Sequence, residues 1–116
     1  MGDQIVAAGE AVHIVTRRLF DDDVRRHFAG TIMAASEQMI RADGWVFVFH
    51  RGTNEFIKRS DLRTRVFSLS DAGHIINVLP PGVEPENLRY EFSESGLFLT
   101  DGLDFSVDLN EFGLTT

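Results

Sequence analysis

Histidine is the residue type in this chain best suited to metal binding or acid–base chemistry, and it occurs at His13, His27, His50 and His74. No histidine lies three or four residues from another histidine or from a partner in a metal-ligand motif. Cysteine is absent, which excludes thiolate catalysis, disulfides and cysteine-ligated metals. We therefore expect structural histidines and no metal site, although a zinc site assembled from separate strands stays open.

A serine–histidine pairing is the second arrangement that suggests catalysis. Ser68, Ser70 and Asp71 lie close to His74 in the sequence. The strand-to-helix turn that exposes a nucleophilic serine is missing, and neighbours in sequence do not form triad geometry. The chain also has no phosphate-binding glycine loop. We therefore expect a protein that is not an enzyme and needs no cofactor, with a hydrolase or metal-dependent enzyme as a more distant alternative.

Acidic and amide residues near the end of the sequence invite a calcium-binding interpretation. They are Asp101, Asp104, Asp108, Asn110 and Glu111. A calcium loop needs oxygen ligands at alternate positions, but the fifth position counted from Asp108 is Phe112. The pattern is more typical of a strand with an anionic outer face.

Aromatic residues are the remaining chemical lead. The chain has ten Phe, one Trp and one Tyr, and Trp45, Phe47 and Phe49 share a face if residues 45–49 form a strand. Such rings could stack nucleobases, as aromatic sheets do in proteins that bind single strands. We favour burial in the core, because base stacking needs neighbouring cations and these strands supply few.

Charge is unevenly distributed along the 116 residues. Residues 1–65 hold 10 Lys or Arg and 9 Asp or Glu, a net +1, whereas residues 66–116 hold one Arg and 9 acids, a net −8. The total of −7 weakens non-specific attraction to nucleic-acid backbones. A cationic surface is available from the first part alone, from Arg17, Arg18, Arg25, Arg26, Arg51, Lys58, Arg59, Arg63 and Arg65. Such runs are more typical of solvated strand faces.

The elements that must position these residues are mainly strands. Period-two alternation predicts a strand from Val12 and a second over residues 24–34, paired as a hairpin across a turn at residues 21–23. Asp43-Gly44 is either a tight turn or a bulge in one long strand. Residues 2–11 are the best helical candidate.

The second half of the chain continues in the same way. Residues 55–65 are expected to form an edge strand or a loop, and strands follow at 66–69 and 75–79. Pro80-Pro81-Gly82 ends the last of these. A hairpin over 88–100 and a strand over 103–109 complete a mainly β chain, which predicts one domain, a small barrel or sandwich.

No run of about 18 apolar residues is present, as a membrane helix would require. The first residues also lack the cationic and apolar pattern of a secretory signal. We therefore expect no membrane association and a cytoplasmic location.

Two stretches resemble the motifs of the Sm/LSm family. Residues 28–41, FAGTIMAASEQMIR, are similar to the first motif, in which a strand with an internal glycine leads to an acid, a short loop and a Met-Asn-like step. Residues 66–80, with Gly73 before an apolar strand, are similar to the second. The resemblance covers residues 26–80 of a single domain over 1–116, and residues 82–116 are then an acidic β extension.

The resemblance implies a strongly bent five-stranded small barrel, with an extra N-terminal strand, that assembles into a homo-oligomeric ring of roughly five to eight chains. It also implies single-stranded RNA binding at two loops. The residues at the corresponding positions, and so the candidate binding residues, are Gln38, Met39, Ile40, Gly73 and His74. The chain departs from the motifs at three positions: Ser36 replaces the acid, Ile40 the base-reading Asn, and Ala72 the Arg.

The sequence as a whole therefore predicts a non-enzymatic, ring-forming Sm-like protein that binds single-stranded RNA or another nucleic acid through a modified site. The alternative is a structural or adaptor module that binds protein through its sheet edges and its acidic second half.

Overall fold

The chain is all-β and its sheets are antiparallel. A computed structural model describes residues 5–16, 25–50, 52–53, 55–70, 73–93 and 96–108. The strands are β1 (Ala11–Thr16), β2 (Arg26–Ala35), β3 (Met39–His50), β4 (Glu55–Lys58), β5 (Arg63–Ser68), β6 (His74–Val78), β7 (Arg89–Ser93), β8 (Gly96–Thr100) and β9 (Ser106–Asp108). They fall into two compact units, Met1–Glu86 and Asn87–Thr116.

The first unit is built on one six-stranded sheet with the order β4-β3-β2-β1-β6, in which β5 also pairs with β3. The predicted pairing of β1 with β2 is confirmed, with Val12 opposite Gly30, and the predicted turn at residues 21–23 lies outside the described residues. Strand β3 takes two partners along one edge, because β5 pairs with its first half and β4 with its second. Asp43-Gly44 therefore lies inside one long strand, which excludes the predicted tight turn. The alternative of a bulge at this dipeptide is also wrong, because the pairing with β2 is regular there and its register shifts between Ile32 and Ala34.

Close approach of two glycines makes the centre of this sheet possible. Gly30 of β2 lies opposite Gly44 of β3. A Cβ atom on Gly44 would collide with the carbonyl oxygen of Ala29, and one on Gly30 with the carbonyl oxygen of Asp43. Glycine is required at both positions because the two backbones leave no room for a side chain.

The hydrophobic core of the first unit lies on one face of this sheet. Its buried members come from β1, β2, β3 and β5 and from the segment before β1: Val6, Val12, Ile14, Phe28, Ile32, Ile40, Ala42 and Phe67. Several are directly opposed across the sheet, as Ile14 is to Phe28 and Ile40 to Phe67. Alternation of apolar residues along each strand is what places them together.

Two expectations are corrected by this unit. The described pairings do not close the sheet into a five-stranded barrel, because the path ends at β4 and β6 and β5 pairs with β3 alone among the described strands. The helix predicted over 2–11 is wrong for residues 5–10, which form bends and a turn. Gly9 has a φ of 93° there, and its N–H donates to Ile32 O at 2.7 Å.

The second unit contains a three-stranded sheet with the order β7-β8-β9. The predicted hairpin over 88–100 is confirmed as β7 and β8. The last strand is shorter than expected, because Asp101 Oδ1 accepts the N–H groups of Leu103 (2.8 Å) and Phe105 (3.2 Å) and holds that stretch in a turn. Residue 109 lies outside the described residues.

The boundary between the units follows the predicted proline stop. Strand β6 ends at Val78, a turn covers residues 81–82, and a 3₁₀ turn spans Pro85–Asn87. The single domain over 1–116 stays a prediction. Within the described part of the chain, no helix has the length and apolar character needed to span a bilayer.

Candidate nucleic-acid interface

Two loops that are distant in sequence lie side by side in the first unit. The β2–β3 loop is held by Ser36, whose Oγ accepts the N–H groups of Gln38 (3.3 Å) and Met39 (3.2 Å). The β5–β6 loop begins at Leu69, whose N–H donates to Gln38 O at 2.6 Å. The loops that the two motifs supply are therefore in direct contact. Ser36, in the position of the motif's acid, has a structural role as the turn's hydrogen-bond acceptor.

The predicted site residues differ in how much of each side chain solvent can reach. Gln38 and Met39 are exposed, whereas Ile40 is 1% exposed and belongs to the core. Gly73 and His74 are half-buried. The Phe67 ring links Ile40 to His74. It lies opposite Ile40 and packs edge-on against the His74 ring at a centroid distance of 5.3 Å. Gln38 and Met39 are thus the side chains of the set most open to a ligand.

An open pocket of about 270 Å³ adjoins these loops. It is lined by Ala34, Ala35, Ser36, Met39, Ile40, Arg41 and Val66. Arg41 and Val66 are exposed and lie opposite each other on β3 and β5. The lining of the pocket is mainly apolar and Arg41 is its one charged residue, an arrangement that suits a phosphate or carboxylate attached to a flat or apolar group.

Arg41 and Val66 were missing from the predicted site residues. Their pairing depends on β5 joining the first half of β3, a contact between segments more than twenty residues apart. A usable signal was present in the alternation of β3, because Met39 and Arg41 have the same parity and so share a face.

The predicted aromatic face exists, and its members differ in burial. Phe47 is 1% exposed, in agreement with the favoured core role, whereas Trp45 and Phe49 are half-buried. Few cations were expected there, and two contact these rings. Lys58 Nζ lies 5.2 Å from the Trp45 ring centroid and 5.6 Å from that of Phe47, and a third cation–ring contact involves Arg25. The pairing of β4 with β3 brings Lys58 there.

Lys58 also connects two parts of the first unit. Its Nζ donates a hydrogen bond to Glu86 O at 2.5 Å. Burial lowers the pKa of Lys58 from its ordinary value, and the charge of Glu86 partly opposes this. The ammonium therefore positions the segment after β6 against the aromatic face.

The four histidines occupy different environments. His13 and His27 are 1% and 7% exposed, and their rings meet edge to face at 5.4 Å. Burial lowers the pKa of His13 to about 4. Burial, followed by the charges of His13 and Arg25, lowers the pKa of His27 to about 3. Both are therefore neutral at pH 7 and act as packing groups. His50 is exposed on the β3–β4 hairpin.

The other chemical candidates do not assemble in the described residues. No group of three or more His, Asp or Glu side chains there is arranged to hold a metal ion. Ser68 Oγ and Ser70 Oγ lie 3.0 Å apart, and Asp71 is outside the described residues. Asn110 and Glu111 are also outside them. In the second unit, burial raises the pKa of the Tyr90 hydroxyl.

The predicted cationic residues are only partly described. Arg17, Arg18 and Arg51 lie outside the described residues. Arg63 and Arg65 are exposed on β5, and Arg63 forms an ion pair with Asp61 at 3.0 Å. Arg63 and Arg65 lie opposite Gly44 and Ala42, whereas Arg41 lies opposite Val66, so Arg41 is on the other face of the sheet. Asp43 and Asp61 add two carboxylates to the same edge.

Comparison with models of protein families, with curated proteins and with solved structures gives no match.

Proposed function

We propose that this protein is a non-enzymatic, Sm-like module that self-associates and binds single-stranded nucleic acid where the β2–β3 and β5–β6 loops meet. The observation that carries the proposal is the contact between these loops, made by the Leu69 N–H and Gln38 O. Two separate stretches that resemble family motifs are joined there. Beside them lies the pocket with Arg41, whose guanidinium is suited to a phosphate.

Self-association has support from the sheet edges. Strands β5 and β6 each have one described partner, β3 and β1 respectively, so each presents a second edge. Ile75 and Val78 of β6 are 52% and 47% exposed. Unpaired edges with apolar side chains favour pairing with another chain. A homo-oligomeric ring, assembled through these edges, is the finer form of the proposal.

Light scattering and oligonucleotide binding test the two parts separately. Size exclusion with light scattering should give a discrete assembly of roughly five to eight chains. Fluorescence anisotropy with a labelled oligouridylate of about 20 nucleotides should show binding at about 50 mM salt that weakens steeply at about 200 mM. Arg41→Ala should weaken binding about five-fold and lower the salt slope by roughly 0.7. Arg89→Ala, in the second unit, is the matched control and should leave the affinity and the salt slope unchanged.

A negative result in either measurement overturns one part of the proposal. Absence of binding at low salt would overturn the nucleic-acid function, and a monomer would overturn the ring. A monomer that binds no oligonucleotide would favour the second candidate, an adaptor that binds another protein through its edges. The net −8 of residues 66–116 and the exposed apolar side chains of β6 are the observations that support this candidate.

A further inference from the structure

Five planar side chains form a continuous series of contacts at the end of the sheet that contains β4. The Arg25 guanidinium lies 5.7 Å from the Phe49 ring centroid, and Phe49 packs edge-on against Phe56 at 5.3 Å. Phe56 stacks on His27 at 4.6 Å with an interplanar angle of 29°, and His27 meets His13 at 5.4 Å. We call this series the aromatic ladder. It joins side chains from β1, β2, β3, β4 and the residue before β2.

The aromatic ladder runs from the interior to the surface. His13 and His27, at its inner end, are buried, whereas Arg25, Phe49 and Phe56 are half-buried. The inner histidines are neutral at pH 7 because burial lowers the pKa of each well below that value. The outer end therefore offers a flat aromatic and guanidinium surface on a packed, uncharged support.

Backbone hydrogen bonds fix the outer end in place. The Phe49 N–H donates to Arg25 O at 3.0 Å, which ties the approach to β2 to the end of β3. Phe56 lies directly opposite Phe49 in the β3–β4 pairing. A ligand that stacked on this end would meet a surface already ordered, so little conformational entropy would be lost on binding.

Two cations contact the rings on the face that carries Phe49: Arg25 lies over Phe49 itself, and Lys58 lies over Trp45 and Phe47. Arg26 and Arg59 are exposed at the same end of the sheet, and Arg26 lies opposite Val48, on the other face from Phe49. Among the described residues, the carboxylates at this end of the sheet are Glu55, which begins β4, and Glu86, whose charge acts on Lys58. Asp21, Asp22 and Asp23, which precede Arg25 in the sequence, lie outside the described residues. Flat rings with a guanidinium plane and a surplus of exposed cations match a base attached to a phosphodiester backbone. An acidic protein partner would engage the cations but has no need of the ring surface.

We propose that the outer end of the aromatic ladder, Phe49 with Arg25, stacks a nucleobase of single-stranded nucleic acid. It is a second contact for the ligand of the proposed function, on which this inference rests. The two contacts lie at opposite ends of β3, because Arg41 is two residues after its start and Phe49 is one residue before its end. At about 3.3 Å per residue the eight intervening steps span roughly 26 Å, a distance that several nucleotides can cover.

Abasic oligomers separate base stacking from phosphate attraction. Anisotropy titrations at about 50 mM salt would compare a labelled oligouridylate with an abasic oligomer of equal length. Phe49→Leu removes the ring but keeps an apolar side chain, and it should weaken oligouridylate binding about ten-fold while leaving abasic binding unchanged. Phe49→Tyr keeps the ring and should retain the wild-type affinity. Phe105→Leu, half-buried in the second unit, is the matched control and should change neither.

The outcomes distinguish failure of base stacking at Phe49 from failure of the proposed nucleic-acid binding. Wild-type affinity in Phe49→Leu, with Arg41→Ala impaired, would overturn the second contact and leave the proposed function standing. No binding of either oligomer by the wild-type protein would overturn both. Equal weakening for both oligomers in Phe49→Leu would also overturn base stacking, since only phosphate attraction or folding would then be affected. Far-ultraviolet circular dichroism of each variant identifies a folding defect directly.

Discussion

The two halves of β3 differ in how they are covered, although they belong to one strand. In the first half, Met39–Gly44, the even positions Ile40 and Ala42 are buried and the odd positions Met39 and Arg41 are exposed. In the second half the odd position Phe47 is 1% exposed, while Val46 and Val48 on the opposite face are half-buried. The first half is thus buried on one face, and the second is covered on both.

This difference assigns separate roles to the two halves. One-sided burial leaves Arg41 and Met39 available beside the candidate pocket. Covering on both faces buries Phe47 beside His27 and Lys58, and at the end of the strand it leaves Phe49 half-buried against Phe56. The glycine pair, Gly30 and Gly44, marks the point where one arrangement gives way to the other. A single strand thereby serves a ligand-facing surface and a packed interior.

The largest expected effect comes from disrupting the junction between the halves. Gly44→Val places a side chain against the carbonyl oxygen of Ala29 and should lower the free energy of unfolding by at least about 3 kcal/mol. Gly52→Ala is the control, because its added Cβ meets only the His50 ring, which can rotate away. Urea unfolding measures both, and Gly44→Ala serves if the valine variant does not fold. A Gly44→Ala protein as stable as the wild type would contradict the close approach.

Acid should lower the free energy of unfolding through the two buried histidines, of which His27 lies opposite Phe47 in the second half of β3. The pKa values of His13 and His27 fall from about 6.5 in the unfolded chain to about 4 and 3 in the folded one. Below pH 6.5 the unfolded chain binds protons that the folded chain does not, so stability is full above pH 6.5 and declines toward pH 4. The loss is at most about 1.4 kcal/mol per pH unit for each histidine.

A variant series isolates the histidine contribution from that of the carboxylates. His27→Gln cannot titrate, so its stability should fall less steeply than that of the wild type between pH 6.5 and 4.5 in urea unfolding. His50→Gln, at an exposed position, should keep the wild-type slope. Identical slopes for His27→Gln and the wild-type protein would show that burial of His27 does not govern the acid response.

The smallest expected effect belongs to the exposed face of the first half. Thr64 Oγ1 donates to Asp43 Oδ1 at 2.6 Å across β3 and β5. Thr64→Val should cost about 0.5–1 kcal/mol, because one surface hydrogen bond is exchanged for water. Arg63→Ala removes an ion pair whose side chains are 48% and 55% exposed, and it should cost less than about 0.5 kcal/mol. Denaturant midpoints should therefore fall further for Thr64→Val than for Arg63→Ala, and the reverse order would contradict this ranking.

Strand positions were predictable where alternation and turn residues agreed. The β1–β2 hairpin, the hairpin of β7 and β8, and the stop at Pro80-Pro81 all follow from local pattern. The helix over 2–11 failed because a positive φ at Gly9 and a hydrogen bond to Ile32 outweigh a weak local propensity. Closure of the sheet was not predictable, since it depends on which edges meet.

The candidate interface was likewise predictable from the sequence only in part. The two loops were identified from their motifs, and the structure places them in contact. The partners of the aromatic residues were not foreseen, because Lys58 reaches Trp45 through the β3–β4 pairing and Arg25 reaches Phe49 through a backbone hydrogen bond. Sequence pattern shows which face a side chain takes, but not which neighbour lies beside it.

The sequence by itself determined an all-β chain, the shared face of Trp45, Phe47 and Phe49, and a nearly neutral first part followed by an acidic second part. These properties depend on the side-chain period of two and on composition, both of which are local. Tertiary structure alone decided that β3 takes both β4 and β5 along one edge, and that Phe47 is buried while Phe49 is half-open. The reason is physical: burial and edge pairing are set by contacts between distant segments, and the strand alternation is compatible with more than one set of such contacts.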